Sequence, residues 1–300
     1  MAYGCNGKIL HIGLTTNKIE EETPPEYFYR KYLGGSAMGM YYILRDTPVG
    51  VDPLAPENVL TIMTSVTTGV PISGQSRINI NAKSPMSGAI GDSQGGGYFP
   101  AELKFAGYDG IVVKGKAAAP VYLSILNGKA ELHDASHLVG KMTGEVDSIL
   151  KAEVGDPKAQ VLQYGPGAEA GVRFSSIVSM ANRNNGRTGM GLVMASKNLK
   201  AIVVRGKGKV QIADPKGFSK VSKLGPKWLP ENADVDGLGK YGTASVVLPQ
   251  NMMGTLPTYN YNEGQFDLAE DISGERMYDT VLKERDTCYA CIVKCKRVVE

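Results

Sequence analysis

Apolar and polar residues alternate through "GKILHIGLTTNKIEEE" (7–22), broken by a polar turn from Thr15 to Lys18, and this period of two predicts a β-hairpin. The period then lengthens. In "PPEYFYRKYLGGSAMGMYYILRD" (24–46) it becomes that of an amphipathic helix whose prolines suit a first turn. Gly34, Gly35 and Gly39 interrupt that helix, signalling either close helix packing or a backbone that must approach a ligand. "VLTIMTSV" (59–66) and residues 77–82 predict strands on either side of the turn-rich "TTGVPISGQS". From Ser84 the chain reads as a loop running through Gly95, Gly96 and Gly97, then a short helix, then a strand from Ile111 to Lys114. "PVYLSILNGKAELHD" predicts a second hairpin turning at Asn127-Gly128, and a helix from Thr143 to Glu153 is closed by Gly155.

Beyond Asp214 helical stretches with capping residues replace strand signals, which predicts a domain boundary near Val210: residues 1–209, then 210–300. The last part, "SGERMYDTVLKERDTCYACIVKC", predicts a helix leading into a cysteine cluster.

The strand "YDGIVVKGK" (108–116) returns as "LKAIVVRGK" (199–207), and each is preceded by a polar, glycine-rich loop: "DSQGGGYF" and "NRNNGRTGMG". A repeat of about ninety residues implies two β-rich halves related by a pseudo-twofold, their loops facing one space. Glycine-rich loops whose amides approach anions commonly serve phosphates, and Arg77, Arg183 and Arg187 would place guanidinium forks beside them. Neither loop has the spacing of a P-loop or a dinucleotide fingerprint.

Cys288, Cys291 and Cys295 follow a Cys-x2-Cys-x3-Cys spacing, which aims three thiolates at one metal; zinc and cubane iron-sulfur sites each take four ligands. Cys5, beside a strand start, makes a poor fourth. Clustered cysteines fit a metal site in a reducing compartment better than a disulfide framework. His11, His133 and His137 read as structural residues. With 33 basic and 30 acidic residues the net charge of +3 singles out neither nucleic acid nor a membrane surface. No segment has a spanning length of apolar residues and the N-terminus lacks a signal-peptide pattern, so cytoplasmic residence is expected.

"LGGSAMG", "AELKFAGYDGIVVKGK", "DASHLVGK", "ASKNLKAIVVRG", "GLGKYGTA" and "CYACIVKC" together resemble the tungsten-dependent aldehyde:ferredoxin oxidoreductases, in that family's order and across essentially the whole chain. The resemblance implies a tungsten (or molybdenum) bis-pterin cofactor beside a 4Fe-4S cluster, oxidising an aldehyde to its acid with ferredoxin as electron acceptor. It implies an α+β fold, with an N-terminal domain of two intertwined, pseudo-twofold β-rich repeats cradling the pterins and a mainly helical part after it. Arg77 matches the arginine between pterin and cluster. Gln94 and Gly96 match the first phosphate-side loop; Arg183, Asn184, Gly186 and Arg187 match the second. The resemblance further implies a magnesium ion joining the pterin phosphates through the backbone carbonyls of Gln94 and Asn184. The family often has Asn and Ala at those two positions, a change that carbonyl ligation tolerates. Thr188 stands where Gly is common and would crowd its loop. Cys288, Cys291 and Cys295 match three cluster ligands. The fourth, with the acid/base residues and most of the substrate pocket, lies downstream in the family, so the sequence reads as an N-terminal portion with no assignable catalytic side chain. Self-association is left open. The reading from another class is a zinc-stabilised binding module, its glycine-rich loops serving as ordinary turns.

Overall fold

The computed structural model describes residues 3–300. They form two compact units, one comprising the chain up to Val70 and Gln75–Ala213, the other Pro71–Gly74 and Asp214–Glu300.

In the first unit β1 (Ile9–Gly13) and β2 (Lys18–Glu22) form the expected hairpin, followed by α1 (Glu26–Tyr32), α2 (Gly35–Asp46), β3 (Leu60–Met63), β4 (Ile78–Lys83), β5 (Ile90–Gly95), α3 (Phe99–Phe105) and β6 (Gly110–Lys114). The same succession of strands then recurs, with its helices placed differently ahead of the last one: β7 (Val121–Leu126), β8 (Lys129–Asp134), α4 (Thr143–Glu153), β9 (Gln160–Tyr164), α5 (Pro166–Glu169), β10 (Ile177–Ser179), β11 (Arg183–Asn185), α6 (Met190–Ser196) and β12 (Leu199–Arg205). Each set makes one six-stranded sheet, ordered β2-β1-β6-β3-β4-β5 in the first and β8-β7-β12-β9-β10-β11 in the second. Strand for strand the orders coincide. In each sheet the first strand of the repeat also runs parallel to the last, β1 to β6 and β7 to β12, while the other pairings are antiparallel. The repeat read from two short segments is therefore a duplication of topology.

Period-two alternation places the layers. Leu10, Ile12, Ile111 and Val113 of the first sheet and Leu162, Ile202 and Val204 of the second share one core with Phe99 and Leu103 of α3 and Met190, Val193 and Met194 of α6. Residues of opposite parity face outward: Ile9, Met63 and Val112 meet Phe28, Tyr29 and Tyr42 of α1 and α2, whereas Val161, Ala201 and Val203 meet Val146 and Leu150 of α4.

The interruption near Gly34 is a true break, since Leu33 and Gly34 take positive φ between α1 and α2. Of the two readings for these glycines, close packing accounts for them: a Cβ on Gly34 would stand 2.4 Å from Ser65 Cα, and one on Gly39 2.5 Å from Asn81 Oδ1.

Two segments expected as loops are strands. In β5 the odd residues Gly91, Ser93 and Gly95 are buried and Asp92 and Gln94 exposed, so it has a strand's alternation but hardly any apolar residues to signal it. β11 is similarly disguised by "RNN".

Buried charge anchors the chain where the last strand of each repeat begins. Asp109 accepts from Lys104 Nζ at 2.5 Å and from the amides of Asn6 and Gly7 at 2.9 and 2.8 Å, tying the approach to β1 against that to β6. Lys200, at the equivalent place in the aligned repeat, donates to Glu169 Oε1 at 2.5 Å and to the Tyr164 carbonyl at 3.1 Å. The basic exits of the two repeats are structural too: Lys114 pairs with Asp46, and Arg205 with Glu102 and Asp156.

The second unit holds α7 (Pro215–Ser222), α8 (Leu224–Trp228), α9 (Ala233–Tyr241), α10 (Val247–Met252) and α11 (Gly274–Thr280). Asp214, Asn232 and Ser273 cap α7, α9 and α11 with side-chain oxygens. The final helix does not reach the cysteines. It stops at Thr280, and β13 (Leu282–Asp286) pairs antiparallel with β14 (Lys296–Val299), leaving Cys288, Cys291 and Cys295 on the connecting loop. A helix would commit its amides to its own carbonyls, whereas the loop frees them to face sulfur.

Candidate functional site

The free edges of the two sheets meet at β5 and β11. Asn185 Nδ2 donates to the Ser93 carbonyl at 2.9 Å, and the Arg187 amide to Ser93 Oγ at 3.2 Å. The approach is close because Gly95 has no side chain: a Cβ there would lie 2.4 Å from Asn185 Oδ1. A cleft of about 480 Å³ opens at this junction, lined by Asp92, Ser93 and Gln94 from one repeat and Asn184, Gly186 and Arg187 from the other. Its wall is rich in oxygen and amide groups, and the Arg187 guanidinium is exposed with no ion pair among the described residues. Hard oxygen donors suit a magnesium ion, and an open guanidinium suits a phosphate, so the residues fit the phosphate end of a pterin cofactor.

Gln94, Asn184, Gly186 and Arg187 are thus brought together across ninety residues of sequence. Gly96 lies just beyond the end of β5 and does not line the cleft. Arg183 is buried, its Nη1 donating to Asn182 Oδ1 at 2.8 Å, so it braces the loop rather than opening onto it. Arg77 is exposed immediately before β4, with no side-chain ion pair among the described residues. Thr188 takes a left-handed φ of +63°, a rare conformation for a β-branched residue, and donates its hydroxyl to the Arg187 carbonyl at 2.7 Å. Sequence reasoning missed Asp92, whose carboxylate accepts from Ser36 Oγ and Asn79 Nδ2, and Asn185, which closes the junction. Their signal was present only as a polar run in a strand not recognised as one.

In the second unit the three cysteines are half-buried, and Ala290 and Lys294, each immediately before a cysteine, both take positive φ. The Cys291 amide closes a turn onto the Cys288 carbonyl at 3.1 Å. Thr287 Oγ1 donates to the Cys291 carbonyl at 2.6 Å, fixing the loop from its other side. Burial alone would push the Cys291 thiol up, but the Ser73 hydroxyl and the amides of Val293, Gly74 and Lys294 outweigh it and hold the group below the usual thiol value. Donors converging on a sulfur fit a thiolate, the form that ligates an iron-sulfur cluster. Among the described residues no three His, Cys, Asp or Glu side chains are drawn together into a finished cation site.

Cys5, in the first unit, contrasts with Cys291. Burial and the Asp109 carboxylate push its thiol up, the opposite direction from Cys291. The histidines are held by neighbours: His11 by Glu22, His133 by Ser124 and His137 by Glu153.

Residues 9–206 match the family described as aldehyde ferredoxin oxidoreductase, N-terminal domain, and residues 220–300 match aldehyde ferredoxin oxidoreductase, domains 2 & 3. Over 297 residues the chain is 43% identical to a tungsten-containing aldehyde ferredoxin oxidoreductase of Pyrococcus abyssi, covering 99% of this chain and 49% of that protein. It is 33% identical over 313 residues to an aliphatic sulfonate oxidoreductase, WOR-like subunit, of Pyrococcus furiosus, with the same coverage. Among solved structures, the active site complex BamBC of benzoyl coenzyme A reductase superposes with a TM-score of 0.85 at 29% identity, over 100% of this chain and 48% of that one. The chain spans about half the length of the curated relatives it matches.

Proposed function

The chain belongs to the aldehyde ferredoxin oxidoreductase family, and from that premise we propose that it forms the pterin-cradling part of a tungsten (or molybdenum) enzyme that oxidises an aldehyde to a carboxylic acid. The observation that carries this is the meeting of β5 and β11, which sets Gln94 and Asn184 on one cleft beside an unpaired Arg187. Two related half-sites meeting at one cleft suit a cofactor made of two like pterins. Arg187 would hold a pterin phosphate through its guanidinium fork, with Gly186 leaving the backbone open beside it. Gln94 and Asn184 would offer carbonyl oxygens to a magnesium ion between the phosphates. Arg77 would supply a fixed positive charge to phosphate or cluster, and the buried Arg183 would stiffen the loop that carries Asn184 and Arg187. The tungsten centre, when bound, supplies the oxidation itself.

Cys288, Cys291 and Cys295 would hold three irons of a 4Fe-4S cluster, and electrons would leave through it to ferredoxin. No helix among the described residues is long and apolar enough to cross a membrane, and the proposed setting is the cytoplasm. The test is metal and sulfide analysis of the anaerobically purified holoenzyme, with aldehyde-dependent reduction of ferredoxin. Tungsten or molybdenum together with iron and sulfide is expected; zinc alone on the cysteines, with no aldehyde-dependent electron transfer, would replace this reading with the zinc-stabilised binding module.

A further inference from the structure

Ser73 is not a metal ligand, yet its hydroxyl lies against one of the three cysteines. Ser73 Oγ donates to Cys291 Sγ at 3.5 Å, and the same oxygen accepts the Ile292 amide at 3.2 Å. A sulfur that ligates iron carries no proton and can only accept, so the Ser73 hydroxyl is the donor of the first bond, and the Ile292 amide holds its oxygen in place. Ser73 belongs to the four-residue segment Pro71–Gly74, which is part of the second unit although 218 positions separate it from Cys291.

We infer that Ser73 is a positioning residue that sets the reduction potential of the cluster held by Cys291, by donating a hydrogen bond to the ligating sulfur. This rests on the reading that the cysteines hold a 4Fe-4S cluster. Adding one electron increases the negative charge spread over iron and sulfur. A donor aimed at a sulfur stabilises the reduced state more than the oxidised one, and so raises the potential. The hydroxyl acts where the site is half-buried, so water competes less for the sulfur than it would at an open surface.

The experiment is a redox titration of the holoenzyme followed by electron paramagnetic resonance, with iron and sulfide counted in parallel, on wild type, Ser73→Ala and Ser73→Thr. The Ala variant is expected to keep its iron and sulfide while its midpoint potential moves to a more negative value, and the Thr variant, which keeps the hydroxyl, to return towards wild type. Loss of the cluster from the Ala variant alone, with Thr at the wild-type potential, supports the same role. An intact cluster at unchanged potential in the Ala variant overturns it. So does loss from both variants, which would make Ser73 a brace for the loop. Absence of a cubane from the wild-type holoenzyme would instead overturn the underlying reading.

Discussion

Lys197, just past the end of α6, is fully buried, and among the described residues its ammonium reaches only the carbonyls of Pro56 at 3.0 Å and Gly115 at 3.3 Å. The other fully buried lysines each hold a carboxylate, Lys104 that of Asp109 and Lys200 that of Glu169. Burial pushes Lys197 down from the ordinary 10.5 to about 8, with Glu57 opposing weakly. At neutral pH both folded and unfolded chains carry the proton, and the folded state bears the whole penalty, about 3 kcal/mol. Between pH 8 and 10.5 the folded chain gives up the proton and the unfolded chain keeps it, so this penalty fades and stability rises with pH; above that range it is gone. Lys197→Met removes the charge but leaves two carbonyls without their donor, at about 1 kcal/mol each. The variant is therefore expected to be more stable than wild type by about 1 kcal/mol at pH 7. That advantage should fall by about 2.5 kcal/mol by pH 10 and change sign. Urea unfolding of both proteins at the two pH values, followed by far-ultraviolet circular dichroism, measures the difference free of the other groups that titrate in alkali. A wild-type-minus-variant difference that stays flat between pH 7 and 10 would refute the reasoning.

Replacing Asp109 with Ala strands the buried Lys104 ammonium and two backbone amides, and thermal denaturation should show a loss of about 3–5 kcal/mol. Thr188→Gly relieves a left-handed β-branched residue and should raise stability by about 1 kcal/mol in the same assay, while Thr188→Val, which keeps the strain and loses the hydroxyl, should lower it. Gly95→Ala drives a methyl into Asn185 and parts β5 from β11. Tungsten content of the purified holoenzyme should drop while its far-ultraviolet spectrum persists, and normal tungsten retention would argue against the cleft as the cofactor's seat.

The hairpins were legible because their alternation and the Asn127-Gly128 turn depend only on neighbours in sequence. The repeat was legible because β6 and β12 are apolar strands of nearly identical wording. β5 and β11 were hidden for the opposite reason: one face packs on Gly and Ser and the other is turned to the cleft, so neither carries the apolar residues by which strands are recognised. Arg183 and Arg187 look alike in "NRNNGRTG", and only folding separates the buried brace from the open fork. The helix expected to lead into the cysteine cluster stops at Thr280, and the strand that follows was hidden because "LKERD" has a single apolar residue to mark it. Ser73 was beyond any local reading, since its partner lies 218 positions away.

The parallel pairing of the first strand of each repeat with its last has a consequence for synthesis. β1 must wait for β6, and β7 for β12, across spans of about a hundred and about eighty residues. A chain leaving the ribosome can zip its hairpins at once, but it completes one sheet only after Lys114 has emerged and the other only after Arg205. The junction of β5 with β11, and with it the cleft, cannot exist before β11 has emerged. Filling of the cleft by the proposed cofactor would then be a late event, and the growing chain exposes unpaired strand edges in the interval.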